Sequence, residues 1–137
     1  ELEQAIVEDR LQVADLPEAW NEKYKHYLGI VPPDDAQGVL QDVHWSAGLF
    51  GYFPTYALGN LYAAQIYAQA SSDLGDLAAC FPQGDFAPLR EWLRKHIHRH
   101  GCRYTPAELV QRITGSPLSH APLINHLTDK FGKIYKL

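Results

Sequence analysis

Apolar residues along this chain recur with the period of an α-helix, in runs separated by glycine, proline and aspartate, and the alternation expected of strands is weak throughout. Leu2 and Ile6, with Val7 beside them, already have helical spacing. Asp15 and Glu18 around Pro17 read as an N-cap and N3 pair. Trp20, Tyr24, Tyr27 and Leu28 then mark one face of a helix that Gly29 closes. A stripe of that spacing is what a core-facing helix presents, so these aromatics are expected to pack in a core. Residues 30 to 43 carry Pro32, Pro33, Asp34, Asp35 and Gly38 and predict a connecting loop.

The helical signal is longest from Pro54 to Ser72, where Gln65, Gln69 and Ser72 form a narrow polar stripe and apolar residues cover most of the rest. A helix so apolar is expected to be mostly buried and central. Its small residues Ala57, Gly59, Ala63, Ala64 and Ala68 would let neighbouring backbones approach closely, and Gly75 lies near its end. Asp85 is placed to cap a helix with Phe86, Leu89, Trp92, Leu93 and Ile97 on one face, Pro88 in its first turn and Gly101 closing it. Thr105, Pro106 and Glu108 spell a capping box with proline at the first helical position, for a short helix that stops at Gly115. Ser119 opens the last helix, striped by Leu123, Leu127, Phe131 and Ile134. The pattern therefore predicts an all-α fold, a multi-helix array forming a single lobe over residues 1–137, with no internal repeat.

Composition narrows the function classes. At 137 residues the chain can bury roughly 68% of its unfolded surface, and 46% hydrophobic with 20% charged residues is ordinary for a globular domain. A formal net charge of −4 gives no basic face with which to bind nucleic acid. The apolar runs fall far short of the ~20 residues that span a bilayer, so no membrane partner is expected and the cytoplasm is the simplest compartment. Cys80 and Cys102 are too few for a disulfide framework and read as free thiols. The chain has no methionine and opens within a periodic segment with no capping residue, which suggests truncation.

The stretch from Gly38 to Asn60 stands apart. It sets Gln41, Asp42 and His44 beside Trp45, then runs through Phe50, Gly51, Tyr52, Phe53, Pro54 and Tyr56. Three hydrogen-bonding side chains among aromatics are costly to bury without partners, so the stretch reads as the wall of a site on a loop held by helices. The other candidate cluster, His96 and His100 at i, i+4, has Ile97 where a zinc-peptidase helix has glutamate. No third ligand lies near, so these cations are read as helix C-terminal residues and no metal site is assigned.

Gly38, Gln41, Asp42, His44 and Trp45 fill every fixed position of the G-x-x-Q-D-x-H-W signature of the carboxypeptidase Taq family. The chain resembles that family of zinc metallocarboxypeptidases over nearly its whole length, the run FGYFPTYALGNLYAAQ included. The resemblance implies a helical peptidase that trims residues from peptide C-termini, uses zinc and forms a homodimer. It also implies what this sequence lacks: the H-E-x-x-H helix with its zinc ligands and general base, the downstream glutamate ligand, and the I-R-x-x-A-D motif. On that resemblance the chain is a C-terminal piece, supplying the groove wall opposite the metal and binding the peptide's C-terminal end.

Peptide hydrolysis builds negative charge on the scissile carbonyl oxygen, so that wall needs hydrogen-bond donors. His44 and Tyr52 are the candidate catalytic donors, with Tyr56 an alternate for the second. Gln41, Asp42, Trp45 and Tyr56 are the candidate substrate-side residues, and within that set Gln41 and Asp42 are expected to fix the loop and orient His44. The tyrosines equally suit a packed core. A second function class stays open, a non-catalytic helical interaction or dimerisation module.

Overall fold

A computed structural model describes all residues from Glu1 to Leu137, and every regular element is helical. No helix is long and apolar enough to cross a membrane. The chain divides into two compact units, Glu1–Thr55 and Tyr56–Leu137.

In the first unit, α1 (Leu2–Val7) is followed by a 3-10 turn at Val13–Asp15, α2 (Leu16–Leu28), a second 3-10 turn at Val39–Gln41, and irregular chain up to Pro54. Gly29 ends α2 in the left-handed conformation, φ 73°, as its sequence predicts. Asp15 does hold the N-cap position, but its side chain makes no capping bond. The 3-10 turn runs straight into the helix, leaving Asp15 at φ −93°, ψ −4°, whereas a capping oxygen reaches the N2 or N3 amide from extended backbone. The aromatic stripe of α2 packs only along its first turns. Trp20 stacks on Tyr24 at 5.2 Å and meets Trp45 edge-on at 6.1 Å, whereas Tyr27 and Leu28 are exposed. Tyr27 instead donates its hydroxyl to Glu1, beside the Lys23–Glu1 ion pair. The crowded glycine is Gly38, where a Cβ would come within 3.1 Å of the Asp34 carbonyl oxygen and 3.2 Å of Pro32. Room, not a positive φ, is what this loop asks of it.

The second unit takes in most of α3 (Pro54–Leu74), then α4 (Leu77–Cys80), α5 (Ala87–His96), α6 (Pro106–Thr114) and α7 (Ala121–Tyr135). Ala70, Leu77 and Trp92 form its buried cluster, with Ile66, Phe81, Leu89, Leu93 and Ile113 packed against it. The expectation that α3 is mostly buried is overturned, since only Gln65 and Ala70 are buried along it. Its polar stripe does not face outward as a block either. Gln65, at 6% exposure, donates Nε2 to Thr114 Oγ1 (3.2 Å) and the Pro117 carbonyl (3.0 Å) and accepts from the Ser119 amide (2.8 Å). The apolar side of α3 instead borders an open groove of about 970 Å³, walled by Ile66, Leu89, Leu93 and Leu123 among others.

Helix α5 stops at His96, earlier than its sequence suggests, because Ile97 leaves helical geometry at φ −124°, ψ −67° and His98–His100 form a 3-10 turn. Asp85 accepts from the Ala87 amide at 3.2 Å, one residue ahead of the N-cap position. In α6 the capping box forms in both directions: Thr105 accepts from the Glu108 amide, and Glu108 accepts from the Thr105 amide. Those bonds from Thr105 hold the Glu108 carboxyl below its ordinary range. Thr105→Ala is expected to cost about 1 kcal/mol in equilibrium denaturation, with Thr105→Ser close to wild type. Gly115 ends α6 in the left-handed region, φ 72°. The stripe of α7 is largely uncovered, with Leu127, Phe131 and Ile134 all exposed. Cys80 and Cys102 are both free thiols.

Candidate functional site

The irregular segment between Gln41 and Pro54 is built from the inside by Asp42. Its Oδ1 accepts from the His44 amide at 2.9 Å, an Asx-type turn, and the same oxygen meets His44 Nδ1 at 3.2 Å. The Asp42 side chain is only 7% exposed and that of His44 15%. A carboxylate only accepts, so His44 carries its hydrogen on Nδ1 when this bond is made. Nε2 is then an acceptor in the neutral ring and a donor in the imidazolium.

Behind that pair the chain folds on the His44 carbonyl, which accepts from Ala47 at 3.1 Å and Leu49 at 2.8 Å. This turn returns the aromatics to the histidine. The imidazole stacks on Tyr52 at 5.6 Å with 26° between planes and meets Phe53 edge-on at 5.2 Å. Trp45 stacks on Phe50 at 6.3 Å. Gln41 turns back into its own loop and donates Nε2 to the Ala36 carbonyl at 2.6 Å.

Asp42, His44 and Tyr52 are thus drawn into one cluster with Trp45 alongside, and Gln41 is occupied in holding the loop. Tyr56 is an exposed side chain on the first turn of α3, within the second unit. A residue that sequence reasoning passed over is Glu3 of α1, whose Oε1 accepts from Trp45 Nε1 at 2.8 Å and from the Gly51 amide at 3.0 Å. Nothing local marks it, because its partners lie 42 and 48 positions along the chain.

In the second unit, His96 stacks on Trp92 at 4.6 Å and His100 meets Tyr104 edge-on at 5.5 Å. Both line a small pocket with Leu109, Arg112 and Ile113. Nowhere do three His, Cys, Asp or Glu side chains converge as metal ligands would. The donor set of this chain therefore does not fit a resident metal ion, and no chemical step is assigned through one.

Known proteins resemble this chain over nearly all of its residues. The sequence model of the carboxypeptidase Taq (M32) metallopeptidase family matches residues 1–131. Thermostable carboxypeptidase 1 of Thermus thermophilus is 50% identical over 98% of this chain, and carboxypeptidase 1 of Bacillus subtilis is 45% identical over all of it. The crystal structure of the M32 carboxypeptidase from Deinococcus radiodurans superposes with a TM-score of 0.93 at 42% identity, over 99% of this chain. The chain spans about a quarter of the length of these relatives: 26%, 27% and 28% respectively.

Proposed function

Since this chain belongs to the carboxypeptidase Taq (M32) metallopeptidase family, we propose that it is the C-terminal portion of a zinc-dependent carboxypeptidase and forms the substrate-groove wall opposite the metal. The observation that carries this reading is the Asp42–His44–Tyr52 cluster, two donor-bearing rings stacked on a loop and backed by a carboxylate. Peptide hydrolysis places negative charge on the carbonyl oxygen of the scissile bond as its carbon becomes tetrahedral. Donors already aimed at that oxygen stabilise the charged state more than the substrate.

His44 supplies a ring N–H, oriented by the Asp42 carboxylate, and Tyr52 supplies its phenol hydroxyl. Trp45 offers apolar contact to the last residues of an extended peptide. The free thiols of Cys80 and Cys102 suit a cytoplasmic protein. The open apolar groove beside α3, α5 and α7 is read as a face packed against the remainder of the longer protein. Its support is the lining and the quarter-length span of the relatives.

Metal analysis and peptidase assay test the reading together. The 137-residue chain, stripped with chelator and re-exposed to zinc, is expected to retain no stoichiometric metal and to release no C-terminal residue from a peptide. The longer protein that carries it is expected to hold zinc and to release that residue. One tightly held zinc per 137-residue chain, or a metal-loaded longer protein that leaves peptide C-termini intact, overturns it.

A further inference from the structure

The His44 and Tyr52 rings lie on a segment that, after the turn ending at Gln41, has no regular element until Pro54. Tyr52 is held at the start of α3, where its carbonyl accepts from the Thr55 amide at 2.9 Å and the Thr55 hydroxyl at 2.6 Å, and its ring lies 5.6 Å from that of His44. The bonds from Ala47 and Leu49 to the His44 carbonyl close the turn on itself without fixing it to a regular element. The tie to α1 runs through Glu3. One carboxylate oxygen accepts from Trp45 Nε1 and from the Gly51 amide. Trp45 directly follows His44, and Gly51 directly precedes Tyr52. A single oxygen atom thereby pins the chain neighbour of each candidate donor. Charge-assisted bonds of this kind are shorter and stronger than neutral ones. Gly51 supports the arrangement through its backbone: its φ of 77° directs the amide in a way that side-chain-bearing residues adopt only with strain, although a Cβ there would meet open space.

We infer that Glu3 is the positioning residue of the His44–Tyr52 pair, holding the two donors at the separation the reacting carbonyl requires. The inference rests on the reading proposed above, because Glu3 acts through its two neighbours on the groups that reading makes catalytic. Misplacing a reacting geometry by about 1 Å can cost on the order of 10²-fold in rate, and supporting residues around a site typically matter at about 10–100-fold.

The test uses the full-length peptidase carrying this chain, in four variants: Glu3→Ala, Glu3→Gln, Glu3→Asp and His44→Ala. Three quantities are measured: kcat and KM for release of a C-terminal residue, melting temperature, and hydrogen exchange at the Gly51 amide. Glu3→Ala removes both acceptor bonds and is expected to lower kcat about 10–100-fold with KM within about threefold, while Gly51 exchanges at least about tenfold faster. Glu3→Gln keeps an Oε1 that can accept both bonds, so it is expected to stay within about fivefold of wild-type kcat and to retain most of the protection. If the alanine protein does not fold, Glu3→Asp takes its place. Its shorter side chain is expected to lose one of the two donors and most of the rate.

Unchanged Gly51 exchange in the alanine or aspartate variant overturns the tether, and so does an equal loss of kcat in the glutamine and alanine variants. A fall in kcat for His44→Ala with none for Glu3→Ala overturns the Glu3 inference alone. Wild-type kcat in folded His44→Ala overturns the underlying reading and the positioning role with it.

Discussion

His44→Ala in the full-length peptidase is expected to lower kcat by roughly 10²–10³ while leaving KM little changed, the usual consequence of removing one donor to a developing oxyanion. Metal content is expected to stay the same, because Nδ1 of His44 is committed to Asp42. The competing account is that the ring is a packing element between Tyr52 and Phe53. It predicts a lower melting temperature and near-normal turnover in the molecules that remain folded. Measuring kcat, zinc and melting temperature on one preparation separates the two. Near-normal kcat in folded, zinc-loaded enzyme would take His44 off the catalytic list.

The largest effect on stability is expected at Trp92. It is 6% exposed, sits against Ala70 and Leu77, and donates Nε1 to Asp73 Oδ2 at 2.8 Å. Trp92→Ala is expected to cost about 3–5 kcal/mol in denaturant titration, from lost apolar burial plus the cavity left behind. Trp92→Phe keeps most of the volume and gives up the indole bond, so its loss should be smaller and dependent on pH. Asp73 is held below its ordinary range first by that indole and then by Gln69. A carboxyl lowered in the folded state contributes stability above its ordinary value near 3.8 and loses it as pH falls through the lower folded value. The gap between wild type and Trp92→Phe is therefore expected to be full at neutral pH and to narrow on acidification. A gap of constant size from neutral pH to below about 3 would show that the charge on Asp73 adds nothing to that bond.

The features legible in the sequence are those whose partners lie within a few residues. Thr105 and Glu108 are three apart and form the capping box that their spacing predicts, and Gly29 and Gly115 each close a helix through their own left-handed backbone. Asp15 failed for a reason equally local, a 3-10 turn that occupies the extended geometry its cap requires. The burial of α3 could not be read, because hydrophobicity says which surface avoids water and not which neighbour covers it. The inward turn of Gln65 is of the same kind, since its partners Thr114, Pro117 and Ser119 lie 49 to 54 residues away. At the candidate site, the signature residues mark the loop, while Glu3, which ties that loop to a helix, lies in a segment that no motif includes.

The three bonds of Gln65 also settle a problem of registration. Along α3 the residues Ala63, Ala64, Ala68 and Ala70 make a smooth surface, and a smooth cylinder can be slid or rotated against its neighbours at small cost in contact. Advancing α3 by one turn, about 5.4 Å, would carry the Gln65 amide away from Thr114, Pro117 and Ser119 together. The buried Gln65 amide, left without those partners, is penalised by about 1–3 kcal/mol. Alternative seatings of α3 that the alanines would tolerate are thereby rejected, so one polar side chain in an apolar helix gives the second unit a single assembly in place of several.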